Sequence, residues 1–207
     1  MTTQLTRSTS HRRASWLAAL FTVFALTGCE RPSTLPDVTT FVGYVENSDA
    51  FVALSRVDDR VVAYVCDGRT TAMWLRGNAE GDTFDVNSSE ARLRASFGRD
   101  GITGTFTSAQ GGAYPFTARP VAGGAGFYRA SQTVAGVAYV GGWILLSDGQ
   151  QRGAVKQNGA IIPGPQPRLD PARPVVTLPT AGTLMAEPAE AMLTDPPTDR
   201  SARAATL

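Results

Sequence analysis

The sequence predicts an all-β fold: an antiparallel meander, small and barrel-like, with a β-sandwich as the alternative arrangement. Three observations carry that expectation. Short segments alternate apolar and polar residues with the period of two that a half-buried strand imposes, as in Ala91-Arg92-Leu93-Arg94-Ala95-Ser96-Phe97. Turn-forming pairs such as Asp58-Asp59, Asp67-Gly68 and Asp148-Gly149 separate these segments at short intervals. No stretch between them carries an apolar stripe at helical spacing.

The elements follow in order. Phe41 to Val45 and Phe51 to Arg56 flank the turn Asn47-Ser48-Asp49. Val61 to Cys66 follows Asp58-Asp59, and Thr71 to Arg76 follows Asp67-Gly68. Thr83 to Val86 is a short strand. Ala91 to Phe97 and Ile102 to Thr107 form a hairpin around Gly98-Arg99-Asp100-Gly101. Tyr114, Phe116 and Ala118 then share one face, opposite Thr117 and Arg119. Later strands are expected at Gly126 to Ala130, Thr133 to Val137, Tyr139 to Ser147 and, after Asp148-Gly149, Gln151 to Gln157. The segments 51–54, 61–66 and 143–146 are apolar on both faces, which places them in central or barrel-wall positions.

Composition divides the chain into four parts. Residues 1–28 have the three parts of a lipoprotein signal peptide. Arg7, Arg12 and Arg13 form a basic start, Ala14 to Thr27 an apolar run, and Leu26-Thr27-Gly28-Cys29 a lipobox. The run has 14 residues, short of the roughly 20 that span a hydrocarbon core. Cleavage between Gly28 and Cys29, with lipidation of Cys29, would leave an exported protein held on a membrane by acyl chains. Glu30, rather than Asp, follows the cysteine, so in a cell with two membranes the outer one is the expected destination. Residues 29–37 form a tether and residues 38–162 a β-domain. From 163 to 207 there are nine prolines and no aromatic residue, which predicts a disordered, proline-rich tail.

Loss of the signal changes what chemistry the chain can perform. Three of the 19 basic residues lie within it, leaving 16 against 18 acidic groups. A near-neutral chain without a basic cluster does not suit nucleic acid. The only histidine, His11, also leaves, and Cys66 becomes the only unmodified cysteine. Ser-His-Asp and Cys-His catalysis and the usual His/Cys zinc site therefore have no residues to build them. No cofactor is implied. Carboxylates are the remaining catalytic groups, but Asp58 and Asp59 are adjacent in a turn and no spacing marks an acid–base pair. The Gly98-x-x-Gly101-x-x-Gly104 spacing belongs to a hairpin, not to a phosphate loop opening a helix.

Trp74 and Trp143 read first as core or rim residues of the β-domain; as ligand platforms they are, with Arg152, the candidate binding residues. An exposed tryptophan at a barrel mouth suits a sugar face or an apolar group. Arg152 clusters with Asp148 and Gln151 around one hairpin turn, where loops on a rigid sheet commonly carry recognition. Cys66, at a strand end, reads as a buried small hydrophobe or as an exposed thiol.

Several blocks recur together in one group of proteins. Ala63-Tyr64-Val65-Cys66-Asp67-Gly68, Trp74-Leu75-Arg76-Gly77, Gly126-Phe127-Tyr128-Arg129-Ala130 and Gly141-Gly142-Trp143-Ile144-Leu145-Leu146-Ser147-Asp148-Gly149-Gln150-Gln151-Arg152-Gly153 stand in that order. In this the chain resembles a group of uncharacterised bacterial secreted proteins with no established activity. The resemblance implies that Cys66, Trp143 and Arg152 belong to a shared structural plan.

The function these readings lead to is a membrane-anchored, non-enzymatic extracytoplasmic binding module for an envelope protein, glycan or lipid. A structural or accessory envelope protein acting through its tail is the second reading. A carboxylate-based hydrolase is the third.

Overall fold

The computed structural model of the protein describes residues 38–121 and 124–194. The expected signal and tether, and with them Gly28 and Cys29, lie outside the described residues.

The alternating segments form eight strands in chain order: β1 (Thr39–Val45), β2 (Phe51–Val57), β3 (Arg60–Cys66), β4 (Ala72–Glu80), β5 (Thr83–Asn87), β6 (Ala91–Gly98), β7 (Gly101–Ser108) and β8 (Ala113–Pro120). Each is antiparallel to the next. β1 also pairs with β8 from Phe41 opposite Pro120 to Val45 opposite Phe116, so the meander closes into a barrel. The predicted hairpin is present, with Gly98 opposite Gly101. Inward-facing residues pack the lumen: Leu54, Val65, Phe84, Leu93, Ile102 and Phe116 form the centre of one apolar cluster. Each such burial contributes about 1.5–3 kcal/mol. The barrel interior is a core.

Closure at Pro120 is earlier than a single barrel across 38–162 would require. The rest of the chain makes a second sheet from β9 (Gly126–Val134), β10 (Val137–Leu145), β11 (Gln151–Gln157), β12 (Ala160–Ile161), β13 (Val175–Leu178) and β14 (Gly182–Pro188). Their spatial order is β12-β11-β10-β9-β14-β13. The expected strand at Thr133 to Val137 is instead a hairpin corner. Ala135 and Gly136 take φ of 49° and 80°, and Val134 pairs with Val137 across them.

The described part of the expected disordered tail, residues 163–194, is folded. β14 pairs with β9 at Ala186 opposite Ala130, and a short helix α1 (Ala191–Thr194) follows. Val176, Leu178, Leu184 and Ala186 alternate inward and are buried. The prolines are compatible with this because they fall at strand margins: Pro174 and Pro179 bracket β13, and Pro188 ends β14. Proline content misleads here because those margins need no backbone donor.

Two apolar layers hold the second sheet. One face packs on the outer wall of β1–β3. Phe51, Ala53, Val62 and Tyr64 of the barrel meet Phe127, Ile144, Leu146 and Ala154 of the sheet. This is why β2 and β3 are apolar on both faces. The other face encloses Trp143, Leu145, Val155, Leu169 and Leu184. Trp143 is fully buried there, and its indole N–H donates to the Pro167 carbonyl at 2.8 Å.

Glycines make both layers possible. A Cβ at Gly141 or Gly153 would lie 2.2 or 2.1 Å from the Trp143 ring, and one at Gly142 would lie 2.4 Å from the Tyr64 ring. The glycine-rich tryptophan block is therefore a packing arrangement. Two consequences can be measured by urea unfolding. Gly153→Ala overpacks a filled layer and lowers stability by about 1–3 kcal/mol. A chain ending at residue 162 lacks β13, β14 and Leu169, so its second sheet loses cooperative unfolding while the barrel transition persists.

Candidate functional site

Where the barrel loops meet the start of β11, a groove of about 410 Å³ opens along the seam. Its barrel side is built by Asp49, Gly68 and Arg69, its sheet side by Arg152, Gln166 and Arg168.

The barrel side is held by the loop after β3. The Asp67 carboxylate accepts the backbone N–H groups of Arg69, Thr70 and Thr71 at 2.7–2.9 Å and the Thr70 hydroxyl at 2.6 Å. Burial raises the pKa of this carboxyl. The Thr70 hydroxyl and the three N–H groups outweigh that effect and bring it below the usual carboxylate range. Asp67 is thus occupied in shaping its own loop. Asp49 accepts a charge-assisted hydrogen bond from the Arg69 guanidinium.

The sheet side is held by the strap 162–174, which crosses from β12 to β13. Gln151 clasps the backbone of Leu169: its amide donates to the Leu169 carbonyl at 3.2 Å and its oxygen accepts the Leu169 N–H at 2.9 Å. Gln166 likewise accepts the Val155 N–H at 2.9 Å and donates to the Ile162 carbonyl at 2.8 Å. Beneath them Trp143 carries the Pro167 carbonyl. Few parts of this wall are free to move.

Arg152 spans the two sides. Its guanidinium lies 4.6 Å from the Phe51 ring centroid, Nε donates to the Asp49 carbonyl and Nη1 to the Gln151 carbonyl, both at 3.1 Å. Arg168 is exposed and forms no ion pair or hydrogen bond among the described residues. It also borders a neighbouring depression of about 680 Å³ that contains Gln151 and Asp170.

The residues singled out in the sequence divide on this geometry. Arg152 lines the groove. Trp143 is not a ligand platform, because it is fully buried with its N–H satisfied; it supports the floor through Gly153 and Pro167. Trp74 is half-buried on the outer face of β4. It stacks with Tyr64 at 4.3 Å and Phe127 at 5.9 Å between ring centroids, with the Arg129 guanidinium 5.9 Å from it. It belongs to the barrel–sheet contact.

The cluster around the Asp148 hairpin also divides. Asp148 accepts the Tyr44 hydroxyl at 3.0 Å, Gln151 turns to the strap, and Arg152 turns to the barrel. Asp58 and Asp59 form the β2–β3 turn, where the Asp59 carbonyl accepts the Ala79 N–H. Arg69, Gln166 and Arg168 were not singled out. Asp67-Gly68-Arg69-Thr70 has the composition of a side-chain-capped turn, but Gln166 and Arg168 lie in a stretch whose prolines suggested disorder.

Comparisons with protein-family models, with curated proteins and with solved structures find no match. The chemistry must be read from the site itself. Among the described residues no group of three His, Cys, Asp or Glu stands close enough to hold a metal ion. On the far side of the barrel, Asp85 is held by Arg92 and Arg94, whose hydrogen bonds bring its carboxyl down to about 2. One carboxylate is shared there by two guanidinium groups.

Cys66 is fully buried rather than exposed. Burial pushes its thiol up to about 11, against hydrogen bonds from Tyr64 and the Gly68 N–H that act the other way. The native thiol should not react with a disulfide reagent at pH 8 and should react once the chain is unfolded in guanidinium. The unfolded thiol titrates at roughly 8.5, so the native state keeps its proton over the interval between the two values. Stability is therefore undiminished below about 8.5 and falls as pH rises towards 11. Cys66→Ala should lessen that alkaline slope in urea titrations.

Proposed function

We propose that the chain is a membrane-anchored bacterial lipoprotein, acylated at Cys29, whose β-domain is a non-enzymatic extracytoplasmic binding module using the seam groove. The observation that supports a binding role is the groove's construction. Arg152 and Arg168 project from a wall whose backbone is clasped by Gln151 and Gln166 and supported by Trp143. Arg152, held by the Phe51 ring and two carbonyls, is a fixed polar group that binds at low ordering cost, and Arg168 extends beside it from the clasped backbone.

Anchoring and binding are tested separately. Wild-type protein should fractionate with membranes and carry the mass of acyl chains, whereas Cys29→Ser should be soluble and lack that mass. Equal fractionation and unchanged mass in both would overturn the anchor. For binding, the mature chain is immobilised and exposed to detergent extracts of the envelope, and retained glycans and lipids are identified by mass spectrometry. Wild type should retain a molecule that Arg152→Glu loses, with both proteins unfolding at similar urea concentrations. Equal retention by the two, or none by either, removes the seam groove as the binding site.

A further inference from the structure

Not all the charge in the seam groove is available to a ligand. Arg69 is committed to the Asp49 carboxylate. The Asp67 carboxylate is turned towards its own loop, with one oxygen accepting three backbone N–H groups and the other the Thr70 hydroxyl. Asp67 keeps its negative charge, because its partners are neutral, so the three arginines of the groove face two carboxylates and one positive charge remains in excess.

Arg152 and Arg168 have donors to spare. A guanidinium has five N–H donors. Arg152 commits Nε to the Asp49 carbonyl and one Nη1 hydrogen to the Gln151 carbonyl. Three donors remain on a half-buried group whose orientation is fixed by the Phe51 ring. Arg168 has all five available among the described residues. The wall beside Arg152 includes Gly68, where an added Cβ would lie 3.5 Å from the Arg152 side chain.

We infer that the seam groove binds an oxyanion, a phosphate or carboxylate group held between Arg152 and Arg168. This rests on the binding role proposed above and names its ligand class. An arginine pair suits such a group because the planar fork of donors matches two oxygens at once, and charge-assisted hydrogen bonds of this kind are about twice as strong as neutral ones. Binding is partly exposed, so it weakens as salt is raised. The same chemistry is offered by a free phosphorylated or carboxylated molecule and by an anionic lipid headgroup.

The test uses the mature chain, residues 29–207 carrying Cys29→Ser so that neither the signal nor acyl chains reach the vesicles, with inorganic phosphate as probe. Nitrogen-15 resonances of the arginine Nε groups are followed as phosphate is added. Saturable shifts are expected at Arg152 and Arg168, with affinity reduced about fivefold or more in Arg168→Gln. Arg168→Gln should fold normally because its side chain has no partner among the described residues, whereas Arg152→Gln also loses the contact with Phe51. Arg168→Lys should recover only part of the affinity, since an ammonium supplies charge without the fork.

Vesicles of phosphatidylcholine, with or without phosphatidylglycerol, distinguish the sources. Sedimentation with the anionic vesicles that Arg168→Gln abolishes identifies a headgroup. Phosphate binding without vesicle binding identifies a soluble oxyanion. Absence of saturable shifts, or identical affinities in wild type and Arg168→Gln, overturns the inference. If a neutral envelope molecule is nevertheless retained in an Arg152-dependent manner, the binding role stands and only its ligand class falls.

Discussion

The outer wall of the barrel over β1–β3 is apolar, and it cannot be left in water. Phe51, Ala53, Val62 and Tyr64 point away from a lumen that is already filled, so they require a second surface. The second sheet supplies it. Its position is set by contacts that tolerate little displacement, above all the Tyr64 ring lying on Gly142, where even one added carbon would collide. The seam groove is a by-product of this contact. It is the rim where two curved surfaces part, so its walls inherit the rigidity of the layer beneath.

Trp143 performs the equivalent task on the other side of the sheet. The Trp143 ring lies over Gly141 beside it in the strand and Gly153 across the ladder, where an added Cβ would collide with it. Its N–H then finds the Pro167 carbonyl, so the ring that fills the core also positions the strap above it. Packing and site geometry are therefore coupled. A change that disturbs the tryptophan layer moves Pro167 and, with it, the backbone that carries Arg168.

Much of the fold was legible in the sequence because its determinants are local. Alternation from Ala91 to Phe97 and turn residues such as Asp58-Asp59 specify strands and hairpins without reference to anything distant. Two-faced apolarity in 51–54 and 61–66 also announced a buried wall, although not what would cover it. The site was less legible. Arg152 could be named, but its partner Arg168 lies in a proline-rich stretch whose order depends on β14 inserting beside β9, a long-range pairing without a local signature. Trp143 was legible as a core or rim residue, and the structure places it in the core; its use as a ligand platform, the other reading, is excluded by its burial.

The insertion of β14 has a bearing on how the chain reaches its native state. The barrel is assembled from consecutive strands, and every residue it needs has emerged once Pro120 has. The second sheet is different. Its β9 waits beside an open position that only residues 182–188 can fill, after the strap has crossed the tryptophan layer. Whenever the chain emerges from its N-terminus, a closed barrel with an uncovered apolar flank precedes the finished protein. Under the export proposed above, the interval is set by delivery of the residues between Pro120 and Pro188 across the membrane. The barrel flank is covered by Phe127, Ile144 and Ala154 of β9–β11, whereas the last strand closes the open edge of β9 and completes the tryptophan layer.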